Sequence, residues 1–144
     1  MLVIKKLSQE SYASFADADS LGQFLSAEEI AGVRAGEAVA FVMLIDSRMT
    51  GALVMAAAAA GTSPAYLKVY NVTVLEDVRR HGLGRMLMCM AAGEAVERKV
   101  WFLGCDAQLS ADVQAFADAI HFRAGSDPAV LLLDLSDVEG LRHG

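Results

Sequence analysis

The chain has 144 residues, 55% hydrophobic and 21% charged, with 18 Asp+Glu against 12 Lys+Arg and a formal net charge of -6. That length suits one domain around one core, the apolar share excludes a disordered chain, and the acidic balance makes a poor general binder of phosphate backbones. The longest apolar runs, Ala38–Ile45 and residues 52–60, fall short of the roughly 18 residues a membrane span needs, and no basic leader followed by an apolar stretch opens the chain, so neither a span nor a signal peptide is expected.

In chain order, Leu2–Leu7 is a short apolar run with two lysines and predicts an edge strand. Residues 8–33 predict two helices, with Ser8 and then Asp19 or Ser20 as caps and Gly22 and Gly32 as weak points. Ser26, followed three residues later by Glu29, has the spacing of a capping box. Residues 37–46 are nearly all apolar, as in a strand covered on both faces. Residues 47–51 then offer a turn and 52–60 a second strand. The alanine run at 56–60 favours helix by intrinsic propensity, but a bounded run beside a short loop reads as half of a hairpin, and strand is the expectation. Gly61 to Pro64 breaks the chain.

Residues 66–75 (YLKVYNVTVL) give the strongest strand signal, dense in β-branched and aromatic side chains. A polar, glycine-bearing loop covers 76–84. Leu83, Leu87, Met90, Ala91 and Ala95 recur at helical spacing, which predicts a helix to about Arg98. The methionines Met86, Met88 and Met90 are by default core packing. Residues 99–105 predict a strand, 110–120 a helix with Ser110 as its cap, and 129–135 a closing strand. The expected fold class is mixed α/β (α+β) in one domain, residues 1–144, with a hairpin-rich first half and a strand–loop–helix–strand unit in the middle.

Charge is unevenly placed. Glu10, Asp17, Asp19, Glu28 and Glu29 fall in the first helical stretch without a Lys or Arg between Ser8 and Val33, whereas Arg79, Arg80, His81 and Arg85 crowd one loop. That loop follows the strongest strand, holds Gly82 and Gly84, and leads into a helix. Free backbone N–H groups of a helix start, with the dipole, favour an anionic group there. The glycines let a phosphate approach the backbone, and the arginines add matching donors. A polar turn with solvated arginines is the plain alternative; the coincidence of strand, helix and basic side chains favours a phosphate site. A Walker A loop is excluded, since no Gly-Lys-Ser/Thr follows. A dinucleotide fingerprint is met in part: Gly82 and Gly84 follow a strand and Asp106 lies roughly 20 residues on, but Leu87 stands where the third glycine belongs.

Arg79-Arg80-His81-Gly82-Leu83-Gly84 resembles the Q/R-x-x-G-x-G/A signature of the GNAT superfamily of acyl-CoA-dependent N-acetyltransferases, and Val72 to Val74 resembles that family's central strand. The order of elements matches over nearly the whole chain. The resemblance implies a central mixed sheet with splayed parallel strands flanked by helices, and acetyl-CoA (coenzyme A) as cofactor. It implies that the pyrophosphate sits on the backbone amides of Arg80, His81, Gly82, Leu83, Gly84 and Arg85, with Arg79 also among the cofactor-binding residues. The pantetheine arm would run beside Val72, Thr73 and Val74, and Ser110 stands where an asparagine often contacts that arm.

The sequence departs from the family in its catalytic half. Ala117 stands where many members carry a tyrosine acid, His121 replaces a glycine, and Lys68 occupies the position of a glutamate base. Substitutes are Tyr70, a phenol placed to act as acid or orient water, with burial as a core aromatic the plainer reading, and Asp106, a base at the end of the diverging strand or an ordinary loop aspartate. His121 and Cys105 read as structural. Glu28 and Glu29 would recruit a cationic amine; a solvated helix face is their plain reading. The expected reaction is direct attack of a primary amine on the acetyl-CoA thioester. The acceptor is a polyamine, an aminoglycoside-like amine, a lysine side chain or a protein N-terminus. The competing expectation is a non-catalytic acetyl-CoA sensor or partner-binding module. No nucleic acid and no membrane are expected as partners, and a homodimer is left open. The two cysteines, Cys89 and Cys105, make no disulfide scaffold and no cluster has zinc spacing, so no metal is expected and the cytoplasm is the expected location.

Overall fold

The computed structural model describes residues 1–15, 18–57, 66–75, 82–106, 123–124 and 130–135. Next to one edge of its sheet is a hairpin made by the two apolar runs. Strand β2 (Ala38–Ile45) pairs antiparallel with β3 (Arg48–Ala57), from Ala38↔Ala56 to Ile45↔Arg48. Only Asp46 and Ser47 join them, with φ of 50° and 68°. Two successive left-handed residues give a turn whose twist matches the strands. The turn expected at 47–51 is thus shorter and earlier, because an Asp-Ser pair carries none of the glycine or asparagine that usually advertises it. The alanines are strand as far as Ala57; 58–65 lie outside the described residues.

Strand β1 (Leu2–Leu7) lies antiparallel on the outer edge of β2, and β4 (Leu67–Val74) lies antiparallel on β3. The chain then crosses through helix α3 (Leu83–Glu97) to β5 (Phe102–Asp106), which runs parallel to β4. Strand β7 (Val130–Asp134) pairs antiparallel with β5, and the short β6 (Arg123–Ala124) with β7. The sheet order is β1-β2-β3-β4-β5-β7-β6. The two residues of β6 had no counterpart among the expected strands, since so short a segment carries no period. The expected helix at 110–120 lies outside the described residues.

Both faces of the sheet are covered. Val39, Phe41 and Met43 of β2 and Leu53 and Met55 of β3 pack with Leu87, Met88, Ala91 and Ala95 of α3. The alternate residues Ala40, Val42, Leu44, Ala52 and Val54 pack with Leu21, Phe24, Leu25 and Val33 around α1 (Ala18–Leu21) and α2 (Ala27–Arg34). Two-sided burial is why β2 reads as an unbroken apolar run.

The first helical stretch is more broken than its sequence suggests. It holds a 3-10 turn at Tyr12–Ser14, a single turn of α1, and α2. Ser8 caps nothing: its N–H donates to Ser11 Oγ at 2.8 Å. Asp19 and Ser20 lie inside α1, and the chain leaves the helix before Gly22, whose flexibility opposes a longer run. The capping box on α2 is present in full. Glu29 N–H donates to Ser26 Oγ (3.1 Å), and Ser26 N–H to Glu29 Oε1 (2.8 Å).

Helix α3 buries Leu83, Leu87, Ala91 and Ala95 as its spacing predicts, together with Met88, but Met86 and Met90 are exposed on its outer face. It ends without a glycine. Lys99 takes φ 60°, its N–H donates to the Val96 carbonyl and that of Val100 to Ala95, a Schellman closure. This turn uses up 99–101 and delays β5 to Phe102. No helix of the described residues is long and apolar enough to cross a membrane.

One buried acid ties α3 to the edge of the sheet. The Glu94 side chain is 7% exposed and bonds Lys6 Nζ at 2.6 Å and Arg98 Nε at 2.8 Å. Burial alone would push its carboxyl up, but hydrogen bonds and charge from Lys6 and Arg98 outweigh that and hold it below its ordinary value of 4.5. A carboxyl depressed in the folded state adds stability above its unfolded pKa, and that stability is lost as pH falls through the folded value. Glu94→Gln is expected to cost about 1–2 kcal/mol at neutral pH, since both cations stay half-exposed and rehydrate. In chemical denaturation the difference from the parent should shrink as pH falls from the ordinary carboxylate range through the depressed folded value.

Candidate functional site

Strands β4 and β5 touch at only two pairs, Leu67↔Leu103 and Lys68↔Gly104. Beyond them β5 follows β7 as far as Asp106↔Val130, while β4 follows β3 as far as Val74↔Gly51. The two parallel strands therefore part, and a wedge opens from Val69 onward along an edge of β4 that no β5 residue pairs.

The parting coincides with a β-bulge. The β3–β4 register steps from Met55↔Val69 to Val54↔Asn71, so Tyr70 is an extra residue on β4. A bulge bends its strand and increases the local twist, which carries β4 away from β5. It also reverses the alternation: Val69 and Val72 pack on the α3 side, while Asn71 reaches the α1–α2 side, where its Nδ2 donates to the Phe24 carbonyl at 2.9 Å. At the apex of the wedge the Tyr66 ring lies on Gly104. A Cβ there would stand 2.3 Å from Tyr66 Cδ2, so the last β5 residue to contact β4 has room for no side chain.

At the other end, Gly82 is the N-cap of α3, with φ 73° and ψ 15°. That left-handed conformation suits glycine, and among the described residues a Cβ there would meet nothing within 4 Å. The first intrahelical bond runs from Met86 N–H to the Gly82 carbonyl at 3.1 Å. The amides of Leu83, Gly84 and Arg85 precede it, and the first turn carries no acidic side chain. An anion is the natural occupant of this end.

Of the residues singled out from sequence, Gly82, Leu83, Gly84 and Arg85 stand at this helix start, Leu83 with its side chain in the core. Val72 and Val74 are half-buried against the α3-side core, and Thr73 donates its hydroxyl to Asn71 Oδ1 at 2.9 Å. Arg79, Arg80, His81, Ser110, Ala117 and His121 lie outside the described residues. Tyr70 is 54% exposed, so it is no core aromatic; Lys68 Nζ sits 4.9 Å from its ring centroid, which places both side chains together on one face. Asp106 closes β5, beyond the last contact with β4. Cys105 is buried in the α3-side core, and burial pushes the Cys89 thiol up despite the opposing charge of Arg85. Glu28 is exposed in the first turn of α2, but Glu29 is committed to the capping box. Among the described residues no group of three His, Cys, Asp or Glu side chains could hold a metal ion.

Sequence reasoning missed Tyr66, Asn71 and Gly104. A glycine inside a strand and an asparagine in a β-branched run were the available signals, marking close approach and a non-ladder role.

The model of the Acetyltransferase (GNAT) family matches residues 4–122. The chain belongs to that family. It is an N-acetyltransferase whose acetyl donor is acetyl-CoA. No curated protein matches the sequence. Solved structures share the fold at low identity. AtaTR bound with AcCoA has a TM-score of 0.73 at 15% identity, covering 98% of both chains. AtaT complexed with acetyl-methionyl-tRNAfMet has 0.70 at 14%, and the KacTA–DNA complex 0.70 at 18%, each covering 99% of both chains. The residues present fit acetyl-CoA: a strand edge that β5 leaves after Lys68 suits the amides of pantetheine, and a helix start at a left-handed glycine suits a diphosphate.

Gly104→Ala is expected to displace the Tyr66 ring and destabilise the protein by about 1–3 kcal/mol. In a Tyr66→Ala background the same substitution should cost much less, which a double-mutant cycle by denaturant melts would read as a coupling between the two sites.

Proposed function

We propose that the protein transfers acetyl directly from acetyl-CoA to a primary amine, with the thioester at the parting of β4 and β5 and the amine approaching from the α1–α2 side. The observation that carries this reading is the two-pair contact between β4 and β5, followed by a β4 edge with no β5 partner. When bound, acetyl-CoA supplies an activated acyl group. The chain's part is first to hold it: Val72, Thr73 and Val74 along the strand edge, and Gly82, Leu83, Gly84 and Arg85 at the helix start, with Arg79, Arg80, His81 and Ser110 assigned to the same task. Orientation of this kind supplies a large share of the acceleration in a group transfer.

Proton movement falls to Tyr70 and Asp106 in this reading. The exposed phenol at the bulge is assigned to reprotonate the leaving thiolate, and the carboxylate at the end of β5 to take a proton from the amine. Glu28 is the carboxylate that draws a cationic acceptor. The relatives bring nucleic acid into view, since AtaT is complexed with acetyl-methionyl-tRNAfMet and KacTA with DNA. The formal charge of -6 on this chain opposes a polyanion. We therefore favour a small or protein-borne amine over an aminoacyl-tRNA.

The test is release of CoA thiol from acetyl-CoA across a panel: spermidine, an aminoglycoside, a lysine peptide, a free peptide N-terminus and an aminoacyl-tRNA. Turnover with a cationic amine is expected, and Tyr70→Phe should lower kcat roughly 100-fold with acetyl-CoA affinity unchanged. Tight acetyl-CoA binding without turnover on any acceptor would instead point to a sensor, and turnover on aminoacyl-tRNA alone would overturn the acceptor assignment.

A further inference from the structure

We propose that Asn71 is a positioning residue that ties the loop between α1 and α2 to the strand edge holding acetyl-CoA, so that the donor, once bound, steadies the wall of the acceptor site. This rests on the acetyl-CoA site assigned above. The bulge is what makes the tie. Without the extra residue Tyr70, position 71 would share the face of Val69 and point into the α3-side core; with it, Asn71 faces the opposite layer. Its amide is fixed at both ends. Nδ2 donates to the Phe24 carbonyl at 2.9 Å, and Oδ1 accepts from Thr73 Oγ1 at 2.9 Å.

Both partners of this tie need support. Helix α1 is a single turn, too short to hold its shape alone. The loop after it is drawn inward by Phe24 and Leu25, each 4% exposed, while Gly22 and Gln23 stand in solvent. Asn71 supplies a hydrogen bond across 47 residues of sequence. On the strand side, β4 pairs with β3 but not with β5 at Asn71, so a ligand that fills the wedge orders the very segment that carries Asn71. Ordering one site lowers the entropic cost of ordering the other, and the two become coupled.

The test is hydrogen–deuterium exchange of residues 20–26 with and without saturating acetyl-CoA, in the parent, Asn71→Asp and Asn71→Ala. The aspartate is isosteric and still accepts from Thr73, but it has no donor for the Phe24 carbonyl. In the parent, acetyl-CoA should slow exchange at 20–26 about five-fold, the scale of one net hydrogen bond, and also protect residues 82–86. In Asn71→Asp, binding and protection at 82–86 should persist while the ligand effect at 20–26 disappears, and Asn71→Ala should behave alike. A purely structural role would loosen 20–26 equally in both states and leave the ligand effect intact, which would overturn the proposal. Parent protein protected at 82–86 but unchanged at 20–26 would overturn it too. Absence of protection at 82–86 in the parent would overturn the acetyl-CoA site itself, and this inference with it.

Discussion

Backbone hydrogen bonds that β4 and β5 do not exchange are the constraint on which the rest of this molecule depends. Each strand is claimed on its other side, β4 by β3 and β5 by β7, and after Lys68↔Gly104 the two follow those neighbours apart. A strand edge opened inside a sheet, rather than at its margin, is costly unless something with matching donors and acceptors lies along it. The devices around it all keep the opening in place: an extra residue at Tyr70 that bends β4, a Tyr66 ring seated on Gly104 at the apex, and a left-handed Gly82 that starts α3.

The two faces of the sheet divide the work. On the α3 side lie a continuous apolar core and the buried Glu94, which ties helix to edge strand; this face holds the wedge still. On the other side the helices are short, the loop between them is tethered through Asn71, and Lys68, Tyr70 and Glu28 reach solvent to differing degrees. A group-transfer enzyme needs this asymmetry, because the donor must be held rigidly while the acceptor enters and leaves.

Periodic elements were legible in the sequence and local exceptions were not. β2, β4 and α3 could be read because burial on one or two faces imposes a pattern several residues long, and the α2 capping box because its two side chains sit at fixed spacing. The hairpin turn at Asp46–Ser47 and the end of α3 at Lys99 both use positive φ at residues other than glycine, so the usual markers were missing. The bulge was invisible for a related reason: one extra residue changes which face every later side chain occupies, yet leaves composition untouched. Strand periodicity alone therefore points to burial for Tyr70 and to no role for Asn71, whereas Tyr70 is exposed and Asn71 bonds the Phe24 carbonyl. The helix start at Gly82 was legible because a glycine stands just ahead of a run with helical apolar spacing. The reach of its arginines is a matter of loop conformation, which residue order does not encode.

The most direct measurement is a crystal structure of the protein grown with acetyl-CoA. The expected result is diphosphate oxygens about 3 Å from the amides of Leu83, Gly84 and Arg85, with the pantetheine amides bonded to β4 where it parts from β5. Acetyl-CoA bound at another surface, with the space between the two strands closed by further strand pairing, would contradict it.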